Sequence, residues 1–425
     1  MKFIAFLIGL LVFAANAENL SQADNISFQA LTYGQRIEMS SAFLPNKQGV
    51  DVYLPKDFQL DASHVEYPVI VTLDGWTLSQ AVSGVSGHLM NTAALPKSIV
   101  VALDTNVWPM LPQLFVHSTD NWIADDTDGF VSAFKHNQSD ATNAFWSFLE
   151  KELFPFLEKN YRASDFRTLI GMSPTSILAL HTLLRGPDLF NAYVLIAATD
   201  ILGLGYDDRL DFVDEIIFAS EAGKLDGKYL YIASAELEAR REPRHYQNVK
   251  KLVKGLALHK AKPIYKIEHI DHFGHYPVAI PALLNGLDLI FPRAEFQKYQ
   301  QFLQVGGDVI SAIESHYDAM SKKYGSAIYM QTDLKRNPNS LRSLGYSLLR
   351  RGDHQQAKKA FRRWSEISDK NPNAFYGLAR VSASIGNYAL AIKYLEQALV
   401  LSKLYKPDAT ASLQTAIKRY EAKLK

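Results

Sequence analysis

The residue of this sequence best suited to chemistry is a serine at the point where a short β-rich run gives way to an amphipathic one. Residues 166–176 read Phe-Arg-Thr-Leu-Ile-Gly-Met-Ser-Pro-Thr-Ser, so Ser173 falls on a predicted strand-to-helix turn with Gly171 two positions before it. A sharp turn of this kind lifts a hydroxyl clear of the backbone and makes it a candidate nucleophile for acyl transfer. The Gly-x-Ser pattern alone says little, because Gly84-Val85-Ser86 repeats it inside a predicted helix. Such a serine also needs a base, and an acid that orients the base, in the chain order serine, acid, histidine. His275 lies after a predicted strand and before the last helix of its segment, with His272 as a nearby rival. Glu236 and Glu238 both follow the predicted strand 229–233, where a loop carboxylate is aimed at the same edge of the sheet. Spacing leaves each pair open, beside the plainer reading of a surface glutamate and a loop histidine.

The elements that must position these residues alternate from Ile26 to about Pro292, short β-rich runs with longer amphipathic ones, which is an α/β rhythm. Strands are predicted at 50–54, 69–73, 98–103, 166–170, 193–198, 229–233 and 263–270, and helices at 78–92, 145–157, 176–184 and 282–290. That order builds a doubly wound sheet with helices on both faces. The stretch 104–143 has little periodicity and reads as a long loop, of the kind that forms lids or binding loops. After Pro292 the texture is helical, and a repeat emerges. Asn337-Pro338-Asn339 returns as Asn371-Pro372-Asn373, Gly352 as Gly386 and Ala357 as Ala391, each 34 residues on. This period resembles the tetratricopeptide repeat. Two units are fewer than the three or so a free solenoid needs, so they are expected to pack on the preceding domain or on the helices of 294–335, as a structural cap or as a protein-binding groove.

Residues 1–17 carry one cation, Lys2, then an apolar run ending in Ala15-Asn16-Ala17, which predicts a signal peptide cut before Glu18. The run is too short to be a membrane anchor, for which about 20 residues are needed. The expected divisions are 1–17 as leader, 18–292 as an α/β domain and 293–425 as a smaller all-α domain, with the mature chain periplasmic or secreted. A chain beginning at Glu18 carries 44 basic and 44 acidic residues, so no net charge draws it to nucleic acid or anionic lipid. The absence of cysteine excludes disulfides, thiolate metal sites and a cysteine nucleophile.

The stretch Phe148-Leu149-Glu150-Lys151-Glu152-Leu153-Phe154-Pro155-Phe156-Leu157-Glu158-Lys159-Asn160-Tyr161-Arg162, followed by Arg167-Thr168-Leu169-Ile170-Gly171, resembles a motif of the "putative esterase" family of α/β-hydrolases, which includes siderophore esterases and S-formylglutathione hydrolase. His275, Val278, Pro281, Leu283, Gly286, Leu287 and Phe291 match its C-terminal pattern, and the resemblance covers roughly residues 30–292. It implies His275 rather than His272 as base, and Glu238, with Glu236 second, as acid. Leu73-Asp74-Gly75-Trp76 is similar to the family's Leu-Asp-Gly turn, which assigns Gly75 and Trp76 to the oxyanion site. The implied reaction is transfer of an acyl group from a small-molecule ester to water, with no metal and no cofactor.

The departures from the family cluster around the same place. Pro174 follows Ser173, where the next residue normally donates its amide to the oxyanion, and proline has none. Thr175 and Ser176 replace two glycines, Ala235 replaces a third, Ile201 and Leu202 stand where relatives often have tryptophans, and the loop Thr105-Asn106-Val107-Trp108-Pro109-Met110-Leu111 lacks the family's arginine. Trp76, Trp108, Met110 and Leu111 suggest a more apolar substrate, with Trp108 and Met110 in the pocket. Two readings follow: a carboxylic ester hydrolase weakened at its oxyanion turn, or a catalytically inactive hydrolase fold that binds a protein partner through its repeats.

Overall fold

Six consecutive residues, Tyr67–Thr72, are buried at every position, as a strand covered on both faces must be. In a computed structural model this strand lies inside an eight-stranded sheet. The residues described are 33–104, 106–111, 114–116, 139–258 and 263–425. The expected leader and most of the loop expected at 104–143 lie outside them. In chain order the strands are β1 (Gln35–Met39), β2 (Gln48–Tyr53), β3 (Tyr67–Thr72), β4 (Ile99–Asp104), β5 (Phe115–Val116), β6 (Ala163–Met172), β7 (Ala192–Ile196), β8 (Leu204–Gly205), β9 (Tyr229–Ala235) and β10 (Ile264–Ile270). The main sheet runs β1-β2-β4-β3-β6-β7-β9-β10, with β5 and β8 forming a separate two-stranded ribbon. Strand β2 is antiparallel to β4, and from β4 to β10 every pair is parallel. Burial follows position: β9 is buried throughout, whereas β10 at the sheet edge is only half covered.

Helices connect the strands: α1 (Gly75–Asn91), α2 (Ser139–Phe148), α3 (Phe154–Tyr161), α4 (Pro174–Arg185), α5 (Phe212–Glu221), α6 (Glu236–Ala239), α7 (Arg244–Leu258) and α8 (Ala279–Ile290). The single helix expected over 145–157 is instead α2 and α3 joined by a π turn, Leu149–Leu153. Pro155 sits at the start of α3 and cannot donate to the carbonyl four residues back, which accounts for the wider turn before it.

From Arg293 onward the described residues form helices only. The long ones are α9 (Val309–Tyr324), α10 (Leu341–Arg350), α11 (His354–Ile367), α12 (Pro372–Ser384), α13 (Tyr388–Tyr405) and α14 (Thr410–Glu421). The 34-residue repeat is α10–α11 followed by α12–α13. Gly352 and Gly386 each turn the chain at φ 79°, a left-handed conformation that favours glycine, and Ala357 and Ala391 are fully buried where paired helices touch. Both Asn-Pro-Asn triplets fold alike: the first asparagine's side chain accepts from the third residue's amide, at 2.9 Å in Asn337-Asn339 and 3.1 Å in Asn371-Asn373.

Residues 36–425 form one compact unit, and the helices are joined to the sheet portion by specific contacts. The Ala62 amide donates to the Ile367 carbonyl at 2.9 Å, and the Gln331 side chain donates to the Leu95 carbonyl at 2.9 Å. Tyr324 of α9 packs edge-on against Phe166 of β6 at 5.3 Å between ring centres.

Candidate active site

Strand β6 ends at Met172 and α4 begins at Pro174, so the whole reversal falls on Ser173, at φ 54° and ψ −122°. A non-glycine residue held there costs about 1–3 kcal/mol, and it persists only where its surroundings over-determine it. Here they do. The Ser173 amide donates to the Ile196 carbonyl at 2.8 Å, and its carbonyl accepts from the Ser176 amide at 2.9 Å. A Cβ on Gly171 would stand 2.5 Å from the Thr175 carbonyl oxygen, so only glycine lets the helix approach the strand this closely.

The two residues that replace the family's glycines are buried, with their hydroxyls tied to backbone. Thr175 Oγ1 accepts from the Met172 amide at 2.6 Å and donates to the Met172 carbonyl at 2.9 Å, while Ser176 Oγ donates to the Ile196 carbonyl at 2.9 Å. Pro174 suits the first helical position, where an amide hydrogen has no helical partner. The amides of Thr175 and of Trp76, each second in its helix, have no hydrogen-bond partner among the described residues. Gly75 serves packing at this turn: a Cβ on it would meet the Leu103 carbonyl at 2.7 Å.

Glu238 lies in α6, immediately after β9, and His275 lies between β10 and α8. His275 Nδ1 donates to Glu238 Oε1 at 2.6 Å. This bond and the Glu238 charge, with Asp200 adding to it, raise the His275 pKa above its ordinary value against the opposing effect of burial. Burial alone would raise the Glu238 carboxyl, but the hydrogen bond and charge of His275, joined by His245, hold it low. The rivals are elsewhere engaged. Glu236 accepts from the Tyr246 hydroxyl at 2.5 Å and from Arg240 at 3.1 Å, and exposed His272 lies 3.3 Å from Asp271.

Ser173, Glu238 and His275 therefore follow the C-terminal ends of β6, β9 and β10, the edge at which open α/β sheets hold their ligands. Ser173 Oγ has no hydrogen-bond partner among the described residues, and it lines a cavity of about 490 Å³ shared with Tyr276. The Tyr276 ring stands edge-on to His275 at 5.0 Å. Trp76 and Trp108 line the same cavity, with Asp74 and Asp104. Met110 does not line it. The 3₁₀ turn Trp108–Met110 leaves Trp108 half-exposed and turns Met110 into the core, where its carbonyl accepts from Thr142 at 2.5 Å. Leu111 is likewise buried, and Thr105 lies outside the described residues.

Sequence reasoning passes over Tyr276 and Asp104, and names Asp74 only as part of its turn, although each adjoins a residue or strand it singles out. It also passes over a buried polar cluster whose His245 acts on Glu238. Thr199 Oγ1 is hydrogen-bonded to His245 Nδ1 at 2.7 Å and to His269 Nε2 at 3.2 Å, and its amide donates to Ser234 Oγ at 2.9 Å. These residues come from β9, β10, α7 and the segment after β7, and no local pattern links them. Burial lowers the pKa of both histidines, so the cluster is kept neutral. No group of metal-ligating side chains occurs among the described residues.

The family model described as "Putative esterase" matches residues 41–200, and one described as "Anaphase-promoting complex, cyclosome, subunit 3" matches residues 320–398. Among solved structures, an IroE-like serine hydrolase from Shewanella oneidensis is 18% identical with a TM-score of 0.55, covering 79% of this chain and 99% of its own. An uncharacterised protein from Capnocytophaga ochracea is 17% identical with a TM-score of 0.52, covering 90% of this chain and 99% of its own. No curated protein matches. At these identities the structures establish the fold alone. Residues 41–200 are accordingly similar to the esterase family on an α/β-hydrolase fold, and residues 320–398 supply a tetratricopeptide-like C-terminal part.

Proposed function

We propose that this chain hydrolyses carboxylic esters through a Ser173-His275-Glu238 triad. The observation that carries the reading is the 2.6 Å bond from His275 Nδ1 to Glu238, made beside Tyr276, whose ring lines the same cavity as the strained Ser173 turn. That bond fixes the imidazole with its proton on Nδ1 and leaves Nε2 to take the Ser173 proton. Ser173 Oγ then attacks the ester carbonyl, His275 returns the proton to the leaving alcohol, and water releases the acyl group by the same route in reverse. Glu238 stabilises the imidazolium formed on the way. In apo sites the serine-to-histidine bond is often long and tightens only when substrate binds. The oxyanion would be held by the free amides of Trp76 and Thr175, because Pro174 offers none. One such donor is worth about 10²–10³ in turnover, so the reading is of a slow esterase. No step requires a metal or a cofactor.

The leader reading adds export to the periplasm or the medium, with Glu18 as the mature N-terminus. The inactive alternative draws on Pro174 and on the repeats. A second groove, of about 460 Å³, is lined by Tyr346, Tyr388, Tyr420, Arg350, Arg380 and Lys423 without a carboxylate, which favours a binding role for the helices beyond packing. A fluorophosphonate probe separates the two readings. Labelling at Ser173, lost in Ser173→Ala, is the expected result. A wild-type chain that stays unlabelled while Pro174→Gly labels would leave only the inactive reading.

A further inference from the structure

The charges around Ser173 narrow the substrate class. Two carboxylates, Asp74 and Asp104, line the cavity, and no lysine or arginine does so among the described residues. The nearest cation to Asp104 is Arg36 at 3.7 Å, and its guanidinium is already committed to Asp51 through two bonds of 2.6 and 2.9 Å. Asp74 is paired with no cation among the described residues, and burial raises its carboxyl above the usual range against the hydrogen bonds from Thr77. Three aromatic rings line the same cavity: Trp76 is 82% exposed and Tyr276 73%, while Trp108, with other contacts of its own, is 42% exposed. Exposed apolar surface gathered in one place and rimmed by polar groups marks a ligand site more often than a lone exposed ring does. An aromatic face within about 6 Å of a cation attracts it through the ring quadrupole, and a carboxylate beside the ring adds direct attraction.

We propose that the cavity selects esters bearing a cationic group, an ammonium seated between the Trp76 and Trp108 rings and the Asp104 carboxylate, and disfavours anionic esters. The proposal rests on the reading of Ser173 as nucleophile, but its binding half does not. An ester with a negative substituent would meet two carboxylates here and no compensating cation from the lining. A neutral ester would gain from the aromatic faces alone.

Three thioesters of matched size test this: acetylthiocholine, its uncharged isostere 3,3-dimethylbutyl thioacetate, and S-acetyl-3-mercaptopropionate. The expected order of kcat/KM is cationic, neutral, anionic, with the cationic-to-neutral ratio at about tenfold or more and reduced to near one in Asp104→Asn. A ratio near one in the wild type, or preference for the anion, overturns the proposal. Binding is read separately in Ser173→Ala, as quenching of tryptophan fluorescence by tetraethylammonium. Saturable quenching that weakens with salt, and is lost in Trp76→Phe and in Asp104→Asn, supports the site. Absence of quenching in a Ser173→Ala chain with unaltered circular dichroism refutes it. Labelling of Ser173 by fluorophosphonate without cation preference removes the substrate inference and leaves the esterase reading standing. Cation binding without labelling removes the esterase reading and keeps the site.

Discussion

At the scale of single residues, the question is whether Pro174 limits the chemistry of the serine beside it. Replacing it with alanine returns one amide to the start of α4, at the position from which this fold normally stabilises the oxyanion. Pro174→Ala should therefore raise kcat by about 10² while changing KM little, since the donor acts on the transition state alone. An unchanged kcat would mean that the Thr175 and Trp76 amides already suffice. The His275–Glu238 pair makes a second prediction. As the proposed base, His275 would work only when neutral, and Glu238 raises its pKa above the ordinary value of about 6.5, so activity should fall as pH drops through a midpoint above that value. Glu238→Gln removes both the carboxylate hydrogen bond and the Glu238 charge that raise the His275 pKa, and should move the acid limb to lower pH while lowering kcat by about 10² or more. Glu236→Gln, whose side chain engages Tyr246 and Arg240, should leave the limb in place; a shift there would reverse the assignment of the acid. The pairing of Glu238 with His275 is legible because Glu238 falls at a fixed distance past a buried strand in a pattern that resembles a family. Met110 is misread for want of such a pattern, since which way a three-residue 3₁₀ turn points its side chains depends on tertiary packing.

At the scale of elements, the site depends on how closely α4 lies on β6. The added Cβ of Gly171→Ala would meet the Thr175 carbonyl at 2.5 Å and its carbon at 2.7 Å, both backbone atoms that cannot rotate away. The helix must shift or the strand must bend, so a loss of roughly 2–4 kcal/mol is expected, read from the urea midpoint, together with loss of Ser173 labelling. Labelling preserved at wild-type rate would mean that the turn tolerates the displacement. The central strands are the elements most readable beforehand, because a strand buried on both faces is written as a nearly continuous apolar run, as in Tyr67–Thr72 and Tyr229–Ala235. Strand β1 is mostly exposed, and its short sequence Gln-Arg-Ile-Glu-Met carries no comparable signal. Helices α5 and α7 pass unread for a related reason: they line the outer layer between strands, with charged residues interleaved among the apolar ones.

At the scale of the whole molecule, the repeats and the sheet share interior surface, and Asp61 marks where. Its side chain is fully buried and joins three partners. Oδ2 accepts from Lys97 at 2.7 Å and from the Tyr67 hydroxyl at 2.8 Å, while Oδ1 accepts from Ser368, just past α11, at 2.5 Å. Within the helices, Asp333 plays a like part: it accepts from Arg342, Asn371 and Asn373 at 2.9–3.1 Å, and although burial opposes the charge, these donors and Lys406 hold its pKa at about 2. Beneath both, Tyr324 of α9 covers Phe166 and Phe291 and donates to the Ile290 carbonyl at 2.8 Å. A chain ending at Pro292 would lose that ring and leave Asp61 without its helical partner, exposing aromatic surface around Phe166, near the start of the strand whose far end leads into Ser173. Such a truncation should be insoluble or melt well below the full chain. Asp61→Asn in the full chain should cost about 3–5 kcal/mol, because Lys97 keeps a half-buried charge with no carboxylate opposite it. If the truncated chain is soluble, melts at the full-length temperature and is labelled at Ser173 at the same rate, the helices contribute nothing to the stability of the sheet, and the groove between Arg350, Arg380 and Lys423 becomes their remaining reason for being there.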